Sequence, residues 1–183
     1  MNIIPPFNED IAVILIDAQE KLMPAMADCH ETLKSQKMVM EATKILNIDS
    51  FVTEQYPRGL GNTVETLKDV IQHATVFEKT EFSCLDNEKF AEIFLEKGYK
   101  TAVLMGVESH ICVQQTALAM LENNINVIVL ADTVDSRDVA NKQLALDLMR
   151  QCGAFVTSSE AFIFGILKGA KHPNFREVSK LIK

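Results

Sequence analysis

The stretch KTAVLMGVESHICVQQTALAMLENN, residues 100–124, holds two patterns back to back. TAVLMGV is apolar without alternation, as expected of a strand buried on both faces, and CVQQTALAML has the spacing of an amphipathic helix. Cys112 lies just past the junction. It is open to two readings: a small apolar residue of the core, or a nucleophile at a helix N-terminus. A thiol in the first turn feels the positive end of the helix dipole, which lowers its pKa and favours the thiolate. The other three cysteines lack that setting: Cys29 and Cys152 read as helix-face positions and Cys84 as a loop residue.

Outward from this junction, short β-rich runs alternate with helical patterns. IAVILID (11–17), IDSFVTE (48–54), ATVFEK (74–79), KTAVLMGV (100–107), INVIVLAD (125–132) and AFVTSS (154–159) read as strands. Helices are expected over 30–46, 87–98, the Cys112 segment and 138–153, with a helical C-terminal region. The loop after the second strand is QYPRGLGN. IAVILI, TAVLM and NVIVLA are apolar on both faces, which predicts an α/β fold: a three-layer, doubly wound, mainly parallel six-stranded sheet with helices on both faces. No linker, repeat or low-complexity segment interrupts residues 1–183, so a single domain is expected.

Composition narrows the function. Of 183 residues, 48% are hydrophobic, enough for a sizeable core, and the net charge is −7 with no basic block. That argues against nucleic acid or an anionic membrane as the main partner. The longest apolar runs fall far short of the roughly 20 residues that span a bilayer. MNIIPPFNED has neither a basic nor an apolar leader region, so a cytoplasmic location is expected. The four cysteines show no CxxC spacing, and the four histidines are scattered, so neither a structural zinc site nor another cofactor is expected.

In a doubly wound sheet, ligands sit outside the carboxyl ends of the strands. The residues ending those strands therefore carry the candidate chemistry. Asp17 closes the first strand; it reads either as a helix N-cap or as a general base able to take a thiol proton. Lys79 closes the third, as a solvated lysine or as a cation beside a carboxylate and a thiol. A lysine two strands from Asp17 has about 10 Å to cover, within reach of a long side chain.

ILIDAQEKL around Asp17, FEKTEFS around Lys79 and GVESHICVQQTA around Cys112 occur in the order found in the isochorismatase-like cysteine hydrolases, which this sequence resembles over nearly its whole length. The resemblance implies an Asp–Lys–Cys triad of Asp17, Lys79 and Cys112. It also implies a cis peptide between Val107 and Glu108, with an oxyanion hole made by the backbone N–H groups of Glu108 and Cys112. Nicotinamidase members carry an Asp and two His ligands in the loop after the second strand. TEQYPRGLGN has none of these, so no metal is expected. The blocks TEQYPRGLG and KTEFSC look closest to the small isochorismatase-domain proteins. Some of those are described as ribonucleases, a label the acidic charge does not support here.

Gln19, Gln55, Tyr56 and Phe82 are expected to line the pocket, with Phe82 otherwise a core residue, and Arg58 is a candidate for a substrate carboxylate. His110 reads as structural or pocket-lining, because residues i and i+2 of a helix do not face each other. AFIFGIL near the C-terminus suits a subunit contact or a helix closing the sheet's own edge; a homo-oligomer, dimer or larger, is expected. The favoured reading is a metal-independent hydrolase of a small amide or related C–N substrate. Its rivals are a catalytically idle binding or scaffold module of the same fold and a thiol redox sensor.

Overall fold

The computed structural model describes residues 10–182. Residues 1–9, most of the stretch MNIIPPFNED, lie outside that range. The chain runs β1 (Ile11–Ile16), α1 (Cys29–Leu46), β2 (Asp49–Gln55), the one-turn helices α2 (Pro57–Leu60) and α3 (Glu65–Lys68), and β3 (Thr75–Lys79). It continues through α4 (Glu88–Glu96), β4 (Thr101–Val107), α5 (Gln114–Glu122), β5 (Asn126–Asp135), α6 (Val139–Gln151), β6 (Phe155–Thr157), α7 (Ser159–Leu167) and α8 (Phe175–Leu181).

The strands form one six-stranded sheet in the order β3-β2-β1-β4-β5-β6, with every pairing parallel. Alternation along the central strands divides the core into two layers. Ala12, Ile14 and Ile16 of β1 pack with Phe90 and Phe94 of α4, Ala117 of α5 and Leu146 of α6. Val13 and Leu15 face the other way, against Val39 of α1, Phe162 of α7 and Val178 of α8. Burial on both faces is why IAVILI and TAVLMGV show no alternation in the sequence. The first layer is anchored by a ring cluster in which Phe51 meets Phe77, Phe90, Phe94 and Tyr99 at centroid distances of 5.7–6.1 Å.

The strand order reverses between β1 and β4, so the loops leaving their carboxyl ends run in opposite directions and open a crevice there. Ile16 pairs with Gly106 across that gap. Gly106 has φ +123°, and a Cβ on it would sit 2.0 Å from the Ile16 carbonyl oxygen. Only glycine fits, and the close approach brings the end of β1 against the start of the Cys112 turn.

Two elements differ from expectation, and for a third one of the two readings holds. β5 runs on through Thr133 to Asp135 because the β4–β5 ladder shifts register between Leu104 and Gly106 and resumes at Gly106–Val134. Its polar residues disguise that extension in the sequence. AFIFGIL turns its Phe162, Ile163 and Leu167 into the chain's own core, which leaves Phe164 as the large apolar residue exposed there. Cys112 lies in a π-helical turn, Ser109–Val113, that leads into α5, so it precedes the α-helix proper. Among the described residues no helix is long and apolar enough to cross a membrane.

Candidate active site

Asp17 follows directly on β1 and is fully buried, with a left-handed φ of +52° that few non-glycine residues adopt. It caps no helix, since the next one, a 3₁₀ turn, starts at Met23. Its backbone N–H donates to Thr53 O at 3.0 Å, fixing it at the sheet edge. Two donors satisfy its carboxylate, the Thr53 hydroxyl to Oδ1 at 2.7 Å and the Lys79 ammonium to Oδ2 at 2.7 Å, and the Cys112 thiol lies beside it.

Lys79 ends β3 and is 3% exposed. Its side chain passes over the end of β2, where Gln55 is its register partner. Nζ donates to Asp17 Oδ2, to Gln55 Oε1 at 2.6 Å and to Glu81 O at 3.1 Å. An ammonium has three protons, so all of its donors are engaged. Burial is the largest single effect and pulls its pKa down, but the Asp17 carboxylate together with the sulfurs of Cys112 and Cys84 outweighs it and the net shift is upward, so Lys79 stays charged.

Cys112 is 7% exposed. Burial, followed by the Asp17 carboxylate, pushes its thiol pKa well above the usual range, and Lys79 opposes this only in part. The helix-terminus argument from the sequence predicts the opposite sign. A fractional dipole charge is weaker than desolvation plus a full negative charge in hydrogen-bond contact. Cys112 therefore rests as a neutral thiol beside the Asp17 carboxylate.

The turn that holds Cys112 is tied to the end of β5. Ser109 Oγ donates to Asp135 O at 2.9 Å, and His110 Nδ1 lies 3.0 Å from Ser136 Oγ, so His110 is a structural residue. The Glu108 carboxylate accepts from Arg137 Nε at 3.1 Å and from Arg137 N at 3.0 Å. The Val107–Glu108 peptide is cis. Glu108 O accepts from the Ile111 and Val113 amides, at 3.1 and 3.3 Å.

The expected pocket residues divide. Tyr56, with Pro57, Arg58, Thr80 and Asn87, lines a cavity of about 330 Å³ that reaches Lys79. Tyr56 is itself left-handed at φ +37°, and its ring lies so close over Gly59 that a Cβ there would be 2.4 Å from it. Gln55 holds Lys79 with its oxygen and donates Nε2 to Thr80 O at 2.7 Å. Gln19 does not line the pocket. It is fully buried, accepting from Gln55 N and donating to Gln55 O and Gly61 O, so it pins the loop after β2 from behind. Phe82 is neither core nor part of the cavity wall; it is 53% exposed on the loop beyond β3.

Sequence reasoning passed over Thr53. It is a polar residue inside the buried run of β2, in register with Ile16, and that misfit is a readable signal. Among the described residues, no three His, Cys, Asp or Glu side chains gather into a group that could hold a metal.

The Isochorismatase domain profile matches residues 11–161. The chain belongs to the isochorismatase family. It is 37% identical over 167 residues to isochorismatase domain-containing protein 1 of Salmo salar, covering 91% of this chain but only 59% of that protein. It thus spans about three-fifths of that relative's length. Isochorismatase domain-containing protein 2 of Xenopus laevis is also 37% identical, over 93% of this chain and 82% of that one. A structure described as the MAR1 ribonuclease of Caenorhabditis elegans superposes with a TM-score of 0.90 at 40% identity, covering 98% and 91% of the two chains. The YcaC protein of Escherichia coli, described as an octameric hydrolase of unknown specificity, shares the fold at TM-score 0.84 and 22% identity, over 93% and 92%. The chain therefore carries the isochorismatase-family fold.

The direction of the thiol shift is measurable by iodoacetamide alkylation against pH with peptide mass mapping. Cys112 is expected to titrate above the ordinary thiol midpoint of about 8.5. Asp17→Asn should lower that midpoint by removing the negative charge, and Lys79→Met should raise it. A wild-type midpoint below that of exposed Cys152 contradicts the assignment.

Proposed function

We propose that this chain is a metal-independent cysteine hydrolase acting on a small amide or related C–N substrate. The observation that carries the reading is the convergence of Thr53, Lys79 and Cys112 on one buried carboxylate at the strand-order switch. The Cys112 sulfur attacks the carbonyl carbon while its proton passes to Asp17, so no free thiolate need form first. The backbone N–H groups of Glu108 and Cys112 are assigned to the oxyanion. Asp17 returns the proton to the departing nitrogen as the C–N bond breaks, which leaves a thioester. Water then attacks with Asp17 again as base, releasing the acid and restoring the thiol.

Lys79 has no free proton to give, so its role is electrostatic: it balances Asp17 and orients it. Tyr56 and Arg58, which line the cavity that reaches Lys79, suit a compact substrate with an anionic end for the guanidinium. The chain's 25 acidic against 18 basic residues do not support a polynucleotide substrate. A panel of small amides, with mass spectrometric capture of the acyl-enzyme, tests the reading. Turnover should vanish in Cys112→Ala and fall about 10²-fold or more in Asp17→Asn. Turnover that survives Cys112→Ala overturns it, and a folded protein that binds members of the panel without ever acylating points to the idle module.

A homo-oligomer is part of the same proposal. The octameric description of YcaC supports it, as does the outer face of α6, where Leu144 is 67% and Leu148 38% exposed four residues apart. Light scattering should show more than one chain per particle and a smaller mass for Leu144→Glu; an unchanged mass places the contact elsewhere.

A further inference from the structure

One buried nucleophile beside the triad has no part in the hydrolysis. Cys84 lies in a 3₁₀ turn, Cys84–Asp86, packed against α5, and is fully buried. Its backbone N–H donates to the Thr116 hydroxyl at 3.0 Å. Thr116 is four residues beyond Cys112, so the two share one side of the helical segment, and the bond brings the Cys84 turn to that side. Thr53, whose hydroxyl donates to Asp17, and Thr116 lie close to the Cys84 sulfur, and Cys84 and Cys112 belong to the same core layer. They are also close enough for each to feel the charge of the other or of its partners, Asp17 and Lys79.

We propose that Cys84 is the resolving cysteine of an oxidation site at Cys112, where a peroxide of the hydrogen peroxide class yields a reversible Cys84–Cys112 disulfide that switches the site off. The Cys112 sulfur attacks one peroxide oxygen. The O–O bond breaks, the thiol proton passes by way of Asp17 to the departing hydroxide, and Cys112 becomes a sulfenic acid as water leaves. The Cys84 sulfur then attacks the Cys112 sulfur, the S–O bond breaks, and the Cys84 proton leaves with the hydroxyl as a second water. Two thiols are oxidised by two electrons in all, and one peroxide is reduced to two waters.

Cys84 is fully buried whereas Cys112 keeps 7% of its surface exposed and has Asp17 beside it as a base, so the peroxide meets Cys112 first and Cys84 reacts only with the sulfenic acid formed next to it. The consequence is protection. Without a resolving thiol, a sulfenic acid at Cys112 is open to further, irreversible oxidation. Cys29, partly buried at the start of α1, and exposed Cys152 at the end of α6 take no part in these contacts.

The inference rests on Cys112 being the nucleophile, yet its test needs no substrate. The full chain, freed of reductant, is treated with stoichiometric hydrogen peroxide and mapped by non-reducing peptide mass spectrometry. The expected product has lost two hydrogens, joins the Cys84 and Cys112 peptides, and reverts with dithiothreitol. In Cys84→Ala, the irreversible sulfinic form of Cys112 should accumulate roughly tenfold more than in the wild type. Cys112 driven to sulfinic acid in the wild type with Cys84 untouched overturns the proposal, as does Cys112 paired with Cys29 or Cys152. Cys112 left unoxidised at a peroxide level that modifies Cys152 overturns it too. Failure of the hydrolase reading appears separately, as absent acylation on the amide panel while the disulfide still forms.

Discussion

A buried ion pair organises this molecule. The Lys79 and Asp17 side chains are 1% and 0% exposed, with Nζ and Oδ2 2.7 Å apart. Removing one member of such a pair strands the other's charge, at a cost of about 3–5 kcal/mol. The surroundings are built to prevent that. Gln55 and the Glu81 carbonyl take the remaining ammonium protons, Thr53 fills the second carboxylate oxygen, and the Gln19 side chain locks Gln55 in place by its backbone N–H and C=O. Lys79 and Asp17 come from strands separated by β2, so the pair forms only when the sheet order is correct.

The second half of the site is held from the other side of the switch. Gly106 lets β4 come up against Ile16, and the turn after it is fastened to β5 and the following loop by Ser109, His110 and Glu108. Cys112 is therefore held in a fixed place beside Asp17. A neutral thiol beside a carboxylate is a reserve of nucleophile, released when the proton moves, and Lys79 keeps that proton from being shared with any third group. Cys84 is attached to the same contacts through Thr53 and Thr116, which is how a residue outside the chemistry comes within reach of it.

Much of this was legible in the sequence because it depends on one-dimensional patterns. Apolar runs without alternation mark β1, β4 and β5 as central strands, and the polar residues that end strands mark the edge where Asp17 and Lys79 lie. Direction was harder to read. Gln19 follows Asp17 closely yet turns inward to backbone groups, and Phe82 follows Lys79 closely yet points to solvent, because each lies where the chain has left the period of its strand. Thr53 and Cys84 matter through contacts across β1 and α5, which no local window shows. The sign of the Cys112 shift was missed for a related reason: the helix terminus is a local feature, whereas burial and the carboxylate arrive by tertiary packing.

The central claim is that the resting site holds a neutral thiol against a carboxylate, and infrared difference spectroscopy of wild type against Cys112→Ala at neutral pH tests it most directly. The account predicts an S–H stretching band lost with Cys112 and shifted in Asp17→Asn, with no protonated carboxyl band in the wild type. A missing S–H band together with a protonated Asp17 carbonyl band would show that the proton already lies on the aspartate, and would contradict it.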